Sequence, residues 1–123
     1  MKAILINPHK ETITEVEYSG NYKEIYDIID CRTFDVAMAK ENNDLYLDDE
    51  GLLKNNQRYF RMVEIGANYG GKALILAHND EGESTATTLT LQEVENMVQW
   101  LPEGHKEEPY MKFIALWHNT KIK

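Results

Sequence analysis

Apolar positions change their spacing along the chain, and each change marks an expected element. Ala3, Ile4, Leu5 and Ile6 form a continuous apolar run that stops at Asn7-Pro8, where proline fixes φ and removes a donor, so the chain opens with a buried strand and a turn. Ile13, Val16 and Tyr18 follow in a stretch dense with Thr and Glu, which predicts a second strand and a hairpin partner for the first. Ser19-Gly20-Asn21 breaks the pattern. Asn21, with Glu24 three residues on, has the form of a capping box and predicts a helix through about Ile29 with Tyr22, Ile25, Ile28 and Ile29 on one face. Phe34, Val36 and Met38 alternate with Asp35, Ala37 and Ala39, the period of a half-buried strand, and Glu41 to Asp44 reads as a turn. Leu45 and Leu47 continue as a short strand that ends at Asp48-Asp49-Glu50-Gly51, since glycine tolerates the positive φ that closes such turns.

Residues 52–64 fit neither the helical nor the strand period and are expected as a loop with a short helical turn. Ala73 to Ala77 is the strongest apolar run and predicts a central strand, followed by the polar turn Asn79 to Gly82. Thr90 as N-cap and Glu93 at N3 form a capping box, and Leu91, Val94, Met97, Val98 and Leu101 make the stripe of an amphipathic helix that stops before Pro102. Met111 to Trp117 reads as a last strand. The order β-β-α-β-β-loop-β-α-β predicts an α+β fold: a mostly antiparallel sheet of five to six strands backed by two helices.

Length and composition narrow the class. A chain of 123 residues suits one core, and no apolar run approaches the roughly 20 residues that span a bilayer. The single cysteine, Cys31, rules out an intramolecular disulfide, and with no signal-peptide pattern at the start the expected location is the cytoplasm. The net charge of −8 disfavours direct nucleic-acid binding, which needs a basic face to release counterions. The charge is evenly spread, −4 on residues 1–62 and −4 on residues 63–123, and no acidic block stands out.

Candidate chemistry is sparse. Gly66 to Lys72, GANYGGK, has the skeleton of a phosphate-cradling loop, but Ala73 stands where Ser or Thr must hold magnesium, and ALILA reads as a strand rather than a helix. The segment is expected as a flexible turn with Lys72 at the mouth of the central strand. Asp44, Asp48, Asp49 and Glu50 lack the alternate-position spacing of a calcium loop and read as a solvated turn. His9, His78, His105 and His118 are isolated, Cys31 has no neighbour but Arg32 to activate it, and Ser19 and Ser84 lack a nucleophile-elbow setting. No catalytic residue, metal or cofactor is expected. KNNQRYFR, residues 54–61, remains: Lys54, Arg58 and Arg61 interleave with Tyr59 and Phe60 in an acidic chain. Arginine pairs with phosphate and aromatic rings stack on bases, so Arg58, Tyr59, Arg61, Tyr69 and Lys72 are the candidate ligand-binding residues.

KAILINP (2–8), EIYDIIDCRTFDV (24–36), DLYLDDEGLLKNNQRYFR (44–61), GGKALIL (70–76) and LTLQEVENMVQWL (89–101) resemble a domain-of-unknown-function family of small phage, plasmid and conjugative-element proteins. The resemblance covers a family-like core, 1–101, of a single domain spanning 1–123, with 102–123 as an extension. It implies a counter-defence role filled by binding rather than catalysis. Two functions follow: sequestration of a nucleotide-type signalling ligand by the basic-aromatic cluster, or inhibition of a host nuclease or restriction complex by an acidic surface that imitates nucleic acid. A homo-oligomer through an edge bearing Ile114 and Trp117 is a further expectation.

Overall fold

A computed structural model describes residues 1–107. The expected last strand at 111–117, and with it the Ile114 and Trp117 edge, lies outside the described residues. The fold is α+β and, among the described residues, every strand pairing is antiparallel. Strands β1 (Lys2–Asn7), β2 (Thr12–Glu17), β3 (Phe34–Lys40), β4 (Asn43–Asp48), β7 (Ala73–His78) and the two-residue β8 (Ser84–Thr85) form one six-stranded sheet in the order β2-β1-β7-β4-β3, with β8 beside β7. Strands β5 (Tyr59–Met62), β6 (Ala67–Gly70) and β9 (Val98–Trp100) form a second sheet in the order β6-β5-β9.

β7 is central, as its unbroken apolar run predicts, because both of its faces are covered. Leu74 and Leu76 pack with Ala3, Tyr18 and the residues Ile25 and Ile29 of helix α1 (Lys23–Ile28) and its C-cap. Ala73 and Ile75 face the other way, with Ile4, Ile6, Leu45 and Leu47, against Phe60 and Met62 of the small sheet and Val94 and Met97 of helix α2 (Leu91–Met97). The two helices thus back opposite faces of the large sheet. The capping box of α2 forms as its sequence predicts: Thr90 Oγ1 accepts from Glu93 N at 3.1 Å and Glu93 Oε1 accepts from Thr90 N at 3.0 Å.

Several expectations are corrected. The short helical turn expected in 52–64 is present as a 3-10 turn at Gly51–Leu53, but the rest is not all loop, because Tyr59–Met62 forms β5. The glycine-rich run 66–72 is not only a turn, because Ala67–Gly70 pairs with β5 as β6. Helix α2 stops at Met97 instead of running to Leu101. Val98 adopts extended backbone, and Val98 and Trp100 pair with Met62 and Phe60, so cross-strand pairing overrides the local helical stripe. Helix α1 lacks the expected capping box: its N-cap is Tyr22, half-exposed and without a side-chain cap, while Asn21 Oδ1 accepts from Lys23 N at 3.1 Å. The turn between β3 and β4 is only two residues, Glu41 and Asn42, both with positive φ (48° and 65°), the geometry of a tight hairpin whose twist matches its strands. Asp44 and Asp48 therefore fall inside β4, and Asp48 is buried rather than solvated.

Candidate functional site

Antiparallel order brings the C-terminal ends of β1 and β4 and the start of β7 to the same end of the large sheet. Asn7, Asp48 and Lys72 meet there, beside Ile29 and Asp30 at the end of α1, and bound a cleft of about 320 Å³. Its outer wall is the segment from Lys54 to Gln57. Two glycines set that wall in place: a Cβ on Gly70 would lie 2.7 Å from Gly51 O and 2.9 Å from Tyr59 Cε2, so only bare backbone lets the 3-10 turn cross β6 this closely. Gln57 then fastens the segment, donating from Nε2 to Gly51 O at 2.9 Å, while its Oε1 accepts from Arg58 N at 3.3 Å and lies 3.0 Å from His9 Nε2. On the far side, Asn7 Oδ1 accepts from the backbone N–H groups of His9 (3.0 Å) and Lys10 (3.2 Å), which folds the β1–β2 turn over the rim.

The cleft is an island of positive charge in an acidic chain. Lys10, Lys54 and Lys72 line it with His9 and the neutral amides of Asn7, Asn55, Asn56 and Gln57, against two carboxylates, Asp30 and Asp48. The two carboxylates differ. The Asp48 side chain is 1% exposed; its Oδ1 accepts from Glu50 N at 2.9 Å and its Oδ2 lies 2.5 Å from Lys54 Nζ, an ion pair off the hydrogen-bond axis. The Asp30 side chain is 68% exposed and pairs through Oδ2 with Lys72 Nζ, while its carbonyl accepts from Lys54 Nζ at 3.0 Å. Burial first, and the Asp48 carboxylate next, push the thiol of adjacent Cys31 above its ordinary pKa. That keeps it protonated and poorly nucleophilic.

The five residues singled out in the sequence do not form one cluster. Lys72 alone lines this cleft. Tyr59, buried, lines a second cleft of about 330 Å³ on the other side of the Lys54–Gln57 segment and packs edge-on against His105 with ring centroids 5.3 Å apart. Arg58 Nη2 is tied to Glu11 Oε2 at 2.9 Å, and its Nε is buried with no hydrogen-bond partner among the described residues. Arg61 donates from Nη1 to Asn68 Oδ1 at 3.0 Å. Tyr69, paired with Phe60 across β5 and β6, points to the opposite face and packs on the core, where burial raises its phenol pKa. What sequence reasoning leaves out of the site is Asp30, Asp48, His9, Lys10 and Gln57. Only Lys54 carries a signal, as part of the basic run 54–61.

Folding also pairs histidines that look isolated in sequence. His78 Nδ1 lies 2.7 Å from Asp44 Oδ2 and His105 Nε2 lies 2.6 Å from Glu107 Oε1. Among the described residues no Ser or Cys is hydrogen-bonded to either dyad: Ser84, opposite His78 in the sheet, shares its hydrogen bond with Tyr46 OH at 3.1 Å instead. Among the described residues no three His, Cys, Asp or Glu side chains converge as a metal site, and no helix is long and apolar enough to cross a membrane.

No curated protein and no solved structure matches the chain. A family profile described as a domain of unknown function, DUF3846, matches residues 1–99. That span contains both sheets nearly entire, both helices and every residue lining the lysine cleft, and the chain belongs to the DUF3846 family.

Proposed function

We propose that the chain is a binding protein that holds a small phosphate-bearing ligand of nucleotide type in the lysine cleft, without turning it over. The observation that carries this reading is the set Lys10, Lys54 and Lys72 around a cleft rich in amide groups, in a chain of net charge −8. Ammonium groups attract phosphate, and Asn55 and Asn56 offer both donors and acceptors for the polar edge of a base or sugar. The volume falls at the small end of ordinary ligand pockets. The contact expected of Arg58, Arg61 and the tyrosines passes in this reading to the lysines and amides, with Tyr59 available only from the neighbouring cleft. In the setting that the family resemblance implies, such a protein serves a phage or plasmid by sequestering a host signalling nucleotide. The alternative of an acidic inhibitor that imitates nucleic acid has less to rest on, since the net charge is divided evenly between the two halves of the chain.

Titration calorimetry and thermal melting with ADP, ADP-ribose and cyclic nucleotides test the reading, with adenosine as the unphosphorylated control. The expected result is binding heat and a raised Tm for at least one phosphorylated ligand and neither for adenosine; a ligand at a hundredfold excess over Kd stabilises the fold by about 2.7 kcal/mol. Silence from every phosphorylated compound contradicts the reading.

A further inference from the structure

We propose, building on the cleft assignment above, that the Asp30 carboxylate is an exchangeable internal anion that holds Lys72 until the ligand's phosphate takes its place. The two lysines at the cleft mouth are held differently. Lys54 sits against Asp48, whose side chain is 1% exposed and is anchored by Glu50 N; that pair is part of the frame and cannot part without leaving a buried charge uncompensated. Among the described residues Lys72 pairs only with the Asp30 side chain, which is 68% exposed and stands at the rim. Its carboxylate can swing into water at little cost, because an exposed ion pair gains little over two solvated ions.

The backbone supports such an exchange. Asp30 has φ +53°, the left-handed region that Asp adopts more readily than most residues, one residue beyond the α1 C-cap, so the side chain is placed by the chain reversal and not by packing. The Lys54 Nζ bond goes to the Asp30 carbonyl, so the main chain stays fixed when the carboxylate leaves. A phosphate offers more acceptor oxygens and more charge than the carboxylate it displaces, and it can engage Lys72 and Lys10 together. Asp30 thereby sets selectivity: weak monoanions fail to displace it, and polyphosphates succeed. It also keeps the cleft from collecting stray anions in the absence of ligand.

The test is calorimetric titration of the full chain with inorganic pyrophosphate and with ADP, for wild type, Asp30→Asn, Asp27→Asn, Lys72→Ala and the Asp30→Asn/Lys72→Ala pair. Asp27 is an exposed residue of α1 that does not line the cleft, so its variant makes the same charge change elsewhere. Asp30→Asn is expected to tighten binding by roughly tenfold, Asp27→Asn by far less, and the double variant to lose the gain because it acts through Lys72. If wild type binds and Asp30→Asn is no tighter than Asp27→Asn, or if the gain survives in the double variant, the exchange is overturned while the cleft assignment stands. If neither ligand binds wild type or Asp30→Asn, both are overturned. Urea melts of each variant separate a loss of binding from a loss of fold.

Discussion

The two ends of β4 carry contrasting polar side chains. Asn43 opens the strand wholly buried, and every polar atom of its side chain is used: Nδ2 donates to Lys40 O (3.0 Å), Glu41 O (3.2 Å) and Thr88 Oγ1 (2.8 Å), while Oδ1 accepts from Thr87 Oγ1 (2.7 Å) and Thr88 N (3.3 Å). Asp48 closes the strand buried too, but charged, off-axis to its lysine, and facing an open cleft with two further lysines. A neutral, fully satisfied amide pins the 87–88 segment to the sheet and leaves nothing over for a ligand. A charged group with unspent valence beside solvent is costly to the fold alone and is the kind of feature a binding site retains.

Removing the sealed end is expected to have the largest effect. Asn43→Ala strands the hydroxyls of Thr87 and Thr88 and the carbonyls of Lys40 and Glu41, which costs about 3 kcal/mol in urea unfolding, with phosphate affinity unchanged in the folded fraction. A smaller loss, about 2 kcal/mol, is expected for Gly70→Ala, whose Cβ meets Gly51 O at 2.7 Å. Because that contact sets the cleft wall, this variant should also weaken ligand binding, which Asn43→Ala should not. Lys72→Ala reverses the pattern: its stability changes by less than about 1 kcal/mol, while affinity for pyrophosphate falls about tenfold, read by calorimetry.

The difference between these ends was only partly legible in the sequence. Local signals were reliable where one segment decides its own structure: the apolar run of β7 and the Thr90–Glu93 capping box formed. β3 formed as a strand but with its faces exchanged, since Val36 and Met38 are exposed and Ala37 and Ala39 pack on the core. Elements set by distant partners were not. β5 and β9 exist because Phe60 pairs with Trp100, and nothing within either stretch announces the other. The site fails to show for the same reason. Asp30 and Lys72 lie 42 residues apart and meet only through the order of the large sheet. The cluster that does look like a site, Arg58 to Tyr69, is divided by strand alternation, which sends Tyr59 and Arg61 to one face and Phe60 and Tyr69 to the other.

The smallest expected effect lies just past the Asp48 end. Arg32 grips Glu50 with Nε–Oε1 at 3.0 Å and Nη2–Oε2 at 2.5 Å, and this hydrogen-bonded pairing holds the Glu50 carboxyl below its ordinary range. A depressed carboxyl pKa means the folded chain binds fewer protons than the unfolded one through that window, so the contribution is complete above the unfolded pKa and is lost as pH falls through the folded one. Thermal melts from about pH 7 down to about pH 3 should show a slightly shallower acid decline in Arg32→Gln than in wild type; identical slopes would place the pair outside the acid response.

Amide chemical shifts of the uniformly labelled chain, followed as pyrophosphate is added, test the contrast most directly. The account predicts saturable shifts at Asn7, His9, Lys54 to Gln57, Gly71 and Lys72 around the cleft, with the Asn43 and Thr87–Leu89 amides unmoved. No saturable shift at any concentration, or shifts centred on the Asn43 end, would contradict it.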